Sequence, residues 1–519
     1  MDNFFKINKK TQNIKQSEKA EKDNKTQGEI NDESKFNKIQ ERNETIPLRI
    51  EFIKNLMKDK EVEPILNFDS TETENFLGSR HDCNESGDSY DTRIVLKKRT
   101  YDFKNIISQF GGNLTYIKSG TTGHAFKGTI NDSDGEFNFA VKIVAYPKKE
   151  RYGSIYDTRR PENAELMMLK LLSYFVVNKQ TPHLVLPIAT FHTDMPMFIR
   201  LLKSEIIDNP NYNDRKKEDR IKKTKEFIER YENNEFSSTI SILICEFANR
   251  GDLLDYLRVN YKKLTLIHWK VIFFQILATI AIIQYKYPSF RHNDLKANNI
   301  LIHKIKRDKQ SYSYVVVKKK YKVPNIGYQI KIWDFDFACI PDVIDNIKVQ
   351  SKWTRKINIT PEQNRYYDIH YFFNTLIKDA FLPQIMSDQC VPQEVRNFID
   401  SILPFDLREE SKLVSDKGRI LTNKEYYTAE NIISTNPFFE EFRAFDKKIE
   451  NKKSVISIYD LDKILSGNKR DLIDTHLDTN LDTNLDDTRR NTRERNEKKY
   501  RTDSKRTKRI RQLEEDICT

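Results

Sequence analysis

The longest apolar run in the chain, Val271 to Tyr287, leads into the polar octapeptide His292-Asn293-Asp294-Leu295-Lys296-Ala297-Asn298-Asn299, and the apolar stretch Ile300-Leu301-Ile302 follows at once. This order constrains the fold more than any other feature of the sequence. A carboxylate and an amide five residues apart, Asp294 and Asn299, suit a loop that ends in a hairpin. Asp294 is then placed to accept or orient the proton of an attacking hydroxyl, Asn299 to bind a metal that bridges phosphates, and Lys296 to meet a transferring phosphate. For Asp294 and Asn299 taken alone, a plain polar turn between two buried elements is the better reading. The whole octapeptide is a much stricter pattern.

Phosphoryl transfer asks little covalent chemistry of a protein. It asks for metal ligands, a cationic clamp, a carboxylate near the attacking hydroxyl and a loop over the nucleotide. Asp334-Phe335-Asp336 follows a strand-like run ending at Trp333. A carboxylate at a strand end, Asp334, suits magnesium, a hard cation that takes oxygen ligands; a capping turn is the alternative. Ala140-Val141-Lys142 puts a lysine inside an apolar strand, where burial is costly without a counter-charge. Glu165 on the following helix is the natural partner, Glu162 is its rival, and a lysine that snorkels to solvent is the alternative. Ser119 to Phe126, with Gly120, Thr121, Thr122, Gly123 and Ala125, lies between two strands, and its glycines allow backbone to approach a phosphate. By itself that turn is weak evidence, since most such turns are ordinary hairpins.

From about Tyr101 the pattern is strands first and helices later. Leu114 to Lys118, Ala125 to Ile130, Phe137 to Val144 and Ile240 to Phe247 read as strands, and Glu162 to Val177 as a helix. After Leu253 the signal is mostly helical, with short strands at Ile300 to Ile302 and Gln329 to Trp333. This argues an α+β arrangement of two lobes. Two polar stretches, 204–235 and 304–325, read as insertions, the first of them on the surface. Residues 1–98 are expected to be a mostly disordered or irregular extension, with a short helix from Ile46 to Met57, and 446–519 a low-complexity tail, acidic and then basic. The net charge of +12, and the basic segment Arg489 to Arg511, favour an acidic partner or nucleic acid; solubility explains the charge equally well. Five scattered cysteines without a metal spacing point to a reducing compartment. No apolar leader is expected, nor any run of about 20 apolar residues that would span a membrane.

In this order the four segments resemble the signature of eukaryotic-type serine/threonine protein kinases, over roughly residues 104–445. His292 to Asn299 resembles H-R-D-L-K-x-x-N, Asp334 to Asp336 resembles D-F-G, Lys142 the strand lysine of V-A-I-K, and Gly120 to Ala125 the end of the glycine-rich loop. The resemblance implies a two-lobed protein-kinase fold, with a β-rich N-lobe at about 104–247 and a helical C-lobe at about 248–445. It implies ATP and Mg2+ as cofactors, Asp294 and Lys296 as catalytic residues, and Asn299 and Asp334 as metal ligands. Gly120, Thr121, Thr122, Gly123, Ala125, Lys142 and Glu165 would surround the nucleotide. Ile242 to Ala248 resembles the strand and hinge that hold adenine, with Cys245 as gatekeeper, Glu246 and Ala248 offering backbone groups to the base, and Asp252 near the ribose. Tyr367-Asp368-Ile369 resembles the helix start whose buried Asp anchors the catalytic loop, and Thr428 to Phe439 the last shared element of the fold.

The departures point to a subgroup. Lys118 stands where the first loop glycine usually sits, Asn293 replaces Arg, and Asp336 replaces Gly. Thr360-Pro361-Glu362 lies too close to Asp368 to serve as Ala-Pro-Glu. Loss of that Arg removes the usual partner of a phosphorylated activation loop, so activity without such phosphorylation is expected. These departures, with Tyr366 to Phe373 opening a helix, resemble the poxvirus-type serine/threonine kinases of large DNA viruses, which act in virion assembly. That implies a viral protein with Ser/Thr protein substrates, in the host cytoplasm or the virion. Two other readings are open. A small-molecule phosphotransferase of the aminoglycoside or choline kinase type is disfavoured by Lys296, and a pseudokinase scaffold is suggested by Lys118 and Asp336.

Overall fold

The computed structural model describes residues 45–70, 96–120, 123–132, 135–148, 152–209, 217–307, 311–408 and 411–443. Thr121 and Thr122, and the tail with its basic segment Arg489 to Arg511, lie outside the described residues.

Five strands form one antiparallel sheet: β1 (Asn113–Ser119), β2 (Gly123–Asp132), β3 (Gly135–Pro147), β4 (Pro187–Asp194) and β5 (Phe236–Glu246), in the order β1-β2-β3-β5-β4. Along β3, Phe139, Val141 and Ile143 are buried, and Ala140 and Lys142 alternate with them on the opposite face. The register sets Ala125 of β2 and Leu243 of β5 on either side of Lys142, and Cys245 beside Ala140. Cross-strand neighbours share a face, so these five residues line one surface of the sheet.

Strand β4 was not legible as a strand, because polar residues interrupt it. Thr190 donates to Ile242 O at 2.8 Å, and His192 Nε2 pairs with Tyr146 OH at 2.9 Å. The segment preceding the sheet covers this edge strand: Ile65 N donates to Ile188 O and Tyr101 N to His192 O, both at 2.9 Å. The helix expected from Ile46 to Met57 forms, as α1. Thr45 Oγ1 caps it by accepting from Leu48 N, and Pro47 sits in its first turn. Its Arg49 is buried and grips Glu246, with Nε–Oε1 and Nη2–Oε2 both at 2.7 Å. Part of the stretch expected to be irregular is therefore built into the sheet.

Three further helices accompany the sheet: α2 (Phe103–Gln109), α3 (Pro161–Val177) and α4 (Met195–Leu202). Helix α3 is buried on nearly all sides, as a helix apolar all round must be. The stretch expected as a surface insertion carries α5 (Lys217–Glu232), which buries Thr224, Phe227 and Ile228. Phe227 meets the His124 ring of β2 edge-on at 4.7 Å, and Arg220 donates to Ile117 O of β1.

Helices dominate the chain beyond β5: α6 (Leu253–Asn260), α7 (Leu266–Lys286), α8 (Tyr367–Leu376), α9 (Gln393–Ile402) and α10 (Ala429–Thr435). Between α7 and α8, β6 (Ile300–Lys304) pairs antiparallel with β9 (Tyr328–Ile332), Ile300 opposite Ile332. The second insertion is a hairpin, β7 (Ser311–Val316) with β8 (Lys319–Pro324), whose Tyr314 and Tyr321 pack on Phe274 of α7. Every residue of α8 is buried. Phe273 of α7 packs on Phe373 of α8 and Phe398 of α9, centroids 5.0 and 5.8 Å apart. The absence of any membrane-length apolar run needs amending. Helix α7, 21 residues long, is apolar enough to span a bilayer, but 78% of its apolar window is buried inside the protein, as in a core helix. A sheet-rich region followed by helices is the α+β class expected.

Candidate active site

Strand β3 carries Lys142 into the interior, and two carboxylates meet it there. Lys142 Nζ donates to Glu165 Oε1 and Oε2 at 2.6 and 2.8 Å, and to Asp334 Oδ1 at 3.1 Å. The rival Glu162 is taken by Arg160 Nε at 3.3 Å. Burial opposes the Lys142 charge, yet Asp334 and Glu165 together hold its pKa above the ordinary lysine value. The carboxylates divide. Burial pushes Glu165 up to about 7 despite the ammonium beside it. Burial acts on Asp334 in the same sense, but there Lys142 outweighs it and holds the group at about 2. Their neighbours explain the split: the charges of Asp334 and Asp336 add to the burial that raises Glu165, whereas Lys118 adds to the pull of Lys142 on Asp334.

Asp334 enters this cluster from the end of β9. Its φ of +67° is a left-handed conformation that non-glycine residues rarely adopt. Trp333 N donates to Asn299 O at 3.1 Å, and His292 Nε2 lies 3.1 Å from Trp333 O. With Ile300 opposite Ile332, Asn299 and Asp334 leave the same end of the β6–β9 pair. Asp336, in place of glycine, is paired with Lys348 and so ties down the segment beyond it.

The loop from His292 to Asn299 hangs on one buried carboxylate. Asp368 at the start of α8 accepts from His292 N at 2.7 Å and Asn293 N at 2.8 Å. Within the loop, Asn299 Nδ2 donates to Asp294 O and Oδ2, both at 2.9 Å, and Lys296 Nζ lies 2.9 Å from Asp294 Oδ2. The amide of Asn299 is thereby oriented, its nitrogen turned to Asp294. Sequence reasoning missed Arg419, from the loop between α9 and α10. Its Nη2 donates to Asp294 Oδ1 at 2.5 Å, and its Nη1 to Asn293 O and to Tyr367 OH. Nothing local in the sequence marks it.

The remaining expected residues lie around the sheet. Gly120 N donates to Gly123 O at 2.8 Å in the β1–β2 turn, whose central Thr121 and Thr122 lie outside the described residues. A Cβ on Gly123 would stand 2.4 Å from Ile143 O, so strand packing alone demands glycine there. Ala125 faces the Lys142 side of the sheet. At the end of β5, Glu246 N donates to Leu186 O, so a contact from this residue to a base runs through its carbonyl. Ala248 follows two residues on and is buried. Asp252 caps α6 by accepting from Asp255 N at 3.0 Å, a structural duty beside any contact with a ribose.

The family model for poxvirus serine/threonine protein kinases matches residues 154–404. The chain is 46% identical over 399 residues to R400 of Acanthamoeba polyphaga mimivirus, a protein named as a serine/threonine-protein kinase, covering 76% of this chain and 80% of that one. A second mimivirus protein so named, R301, is 31% identical over 145 residues, 26% of this chain and 35% of its own length. Serine/threonine-protein kinase 2 of vaccinia virus (strain Western Reserve) is 32% identical over 144 residues, 27% of this chain and 29% of its own length. Identity of 46% across 80% of a relative, with a family match over the region that carries Glu165, Asp294, Asn299 and Asp334, makes the chain a member of the poxvirus-type serine/threonine protein kinase family.

Proposed function

We propose that the chain is an active, two-lobed kinase that transfers the γ-phosphate of ATP to Ser and Thr hydroxyls of protein substrates. The observation that carries this reading is the convergence of Lys142, Glu165 and Asp334 in one ion cluster beside an ordered Asp294–Asn299 loop. Lys142, fixed by Glu165, is held ready to clamp phosphates. Asp294 orients the attacking hydroxyl, and Lys296, beside it, meets the phosphoryl group in transit. The sheet turn from Gly120 to Gly123 covers the phosphates, and the carbonyl of Glu246 and the backbone of Ala248 hold the base.

Among the described residues no three His, Cys, Asp or Glu side chains gather as a metal cage. Magnesium suits what is there, because it takes one or two protein oxygens and completes its shell from phosphates and water. Asp334, ionised, and the side-chain oxygen of Asn299 are the groups that would hold it. When bound it neutralises charge on the phosphates. The viral relatives support the reading of a viral protein; action in the host cytoplasm or the virion is proposed with it.

Incubation with labelled ATP, magnesium and a protein substrate tests this. Label on Ser or Thr is expected with the wild type and not with Asp294→Ala. Nucleotide binding without transfer would instead make the chain a pseudokinase scaffold, and transfer to choline or an aminoglycoside alone would make it a small-molecule kinase.

A further inference from the structure

The pairing of Lys142 with Glu165 needs α3 in one place on the sheet, and β3 meets that helix twice. Lys142 and Tyr146 stand on β3 with a span of about 13 Å between them. Lys142 holds Glu165, and Tyr146 OH lies 3.3 Å from Asn163 Oδ1 in the first turn of α3. Lys98, from the segment ahead of α2, closes this second contact. Its buried Nζ donates to Asn163 Oδ1 at 2.7 Å and to Tyr146 OH at 2.8 Å. Tyr146 OH also lies 2.9 Å from His192 Nε2 of β4. The segment that carries Lys98 is fixed in turn, because His192 N donates to Arg99 O at 2.8 Å and Tyr101 N to His192 O at 2.9 Å.

The start of α3 depends on such contacts. Its N-cap residue is Arg160, a side chain with no acceptor to offer the first-turn N–H groups. Arg160 donates instead to Pro147 O and Gly153 O, both at 3.0 Å, which holds the turn before the helix. Asn163 Nδ2 donates to Ile155 O and Asp157 O, both at 2.8 Å. One buried amide thus joins the first turn of α3 to the loop before it and to β3 and, through Lys98, to the segment ahead of α2.

We propose that Lys98 is a positioning residue for the Lys142–Glu165 pair, a role that rests on the kinase reading above. It acts through Asn163. By holding that amide against Tyr146 it sets where the first turn of α3 lies on β3, and Glu165 stands in the same turn. A buried polar network holds one arrangement, because leaving its members unbonded is costly. Displacing the helix by about 1 Å would part Glu165 from Lys142, and misplacement of that size costs up to about a hundredfold in rate. Residues ahead of the sheet thereby govern the cation set against the phosphates.

Lys98→Met in the full chain tests this. Methionine nearly keeps the length of the side chain. Burial already draws the Lys98 pKa down to about 7, so loss of the ammonium is expected to leave the melting temperature unchanged or raised. The kcat/KM for ATP is expected to fall roughly fivefold or more. In a Glu165→Gln background the same change is expected to alter it by no more than about twofold, because the pair it positions is already broken. A purely structural role would give the same loss in both backgrounds. Tyr146→Phe removes the hydroxyl shared by Lys98 and Asn163 and is expected to act in the same direction; it carries the test should Lys98→Met fail to fold. Affinity for a fluorescent ATP analogue is measured on the same proteins and is expected to weaken in both variants. A wild type that binds nucleotide without transfer would therefore overturn the kinase reading and leave this comparison standing. Unchanged kcat/KM and affinity in the folded variants, equal losses with and without Glu165, or a wild type that binds no ATP would overturn the proposal.

Discussion

Arg419 Nη2 donates to Asp294 Oδ1 at 2.5 Å, across 125 residues of chain. The other oxygen of Asp294 accepts from Asn299 Nδ2 and pairs with Lys296 Nζ, both at 2.9 Å. The carboxylate is therefore gripped from both sides. Arg419 is itself immobilised, buried against the Tyr371 ring at 3.8 Å and bonded to Asn293 O and Tyr367 OH. Its planar fork links the His292–Asn299 loop to α8, which a single ammonium does not reproduce.

Arg419→Ala strips a buried carboxylate of a partner and is expected to cost about 3–5 kcal/mol of stability. Arg419→Lys keeps the charge and is expected to fold, with kcat lowered roughly tenfold to a hundredfold through misorientation of Asp294. KM for ATP should change little, because the proposed role of Asp294 is on the attacking hydroxyl and not on the nucleotide. Urea unfolding and steady-state kinetics check both. A normal kcat in folded Arg419→Lys would remove Arg419 from the site.

The Lys142 cluster predicts two opposite pH dependences. Folding raises the pKa of Glu165 from 4.5 to about 7. Between those values the folded chain keeps a proton that the unfolded chain has lost, so this group's contribution to stability falls as pH rises through the window and levels above it. Asp334 moves from 3.8 to about 2, so its contribution is complete above 3.8 and is lost as pH falls towards 2. The difference in unfolding free energy between wild type and Glu165→Gln should therefore decline from pH 4.5 to 7. Ionised Glu165 also fixes Lys142, so kcat/KM for ATP should rise with pH through about 7, and Glu165→Gln should lack that limb. A wild-type profile flat across this range would count against the coupling.

The parts of this site that could be read from the sequence are those where chemistry overrides the local pattern. Lys142 is a cation in an apolar strand, and Asp294, Asn299 and Asp334 are polar groups at the ends of buried elements. Glu165 was the natural partner of Lys142, but Glu162 stayed a rival, since three residues on a helix leave both near one face; Arg160 removes the rival by taking Glu162. Strand β4 was hidden because the partners of Thr190 and His192 lie on β5 and β3, beyond any local window. Helix α5 did leave a signal. Thr224, Phe227 and Ile228 fall at helical spacing within a charged stretch, and the charges masked it. Arg49 and Arg419 left none, for their partners lie 197 and 125 residues away.

Arg49 ties helix α1 to the end of β5, the proposed adenine end of the site. Besides Glu246 it donates to Pro182 O and Leu184 O at 2.8 and 2.7 Å, while Glu246 Oε2 also accepts from Leu186 N at 2.8 Å. Burial opposes ionisation of Glu246, but the Arg49 guanidinium outweighs it and lowers the pKa. The stability this group contributes is therefore complete above its unfolded value of 4.5 and is lost as pH falls through the lower folded value. Arg49→Ala is expected to cost about 3–5 kcal/mol and to raise KM for ATP, because the end of β5 loses its brace. Glu246→Gln should unfold more readily than wild type above pH 4.5 and approach it as the pH drops. Denaturant titrations across pH, paired with ATP kinetics, check this; an unchanged KM in folded Arg49→Ala would confine Arg49 to stability.

The segment from Asp336 to Asp368 is held by side chains of the chain itself. Arg291, wholly buried, donates to Thr360 Oγ1 and Glu362 O at 3.0 Å and to Asn358 O, and stacks on the Tyr367 ring at 3.8 Å. Asn293 Nδ2 donates to Phe337 O at 3.0 Å, and Lys348 holds Asp336. Thr354 is buried, its hydroxyl donating to Ser351 O at 2.7 Å with Lys348 O and Val349 O also within reach, so modification there would break the segment open. Phosphatase treatment is accordingly expected to leave kcat within about twofold, whereas Arg291→Ala, which frees the segment, should lower it roughly tenfold or more. Mass spectrometry before and after treatment, with radiolabel transfer on the same samples, separates the two. If treatment abolished transfer while Arg291→Ala kept it, a later-added charge and not this buried guanidinium would be holding the segment in place.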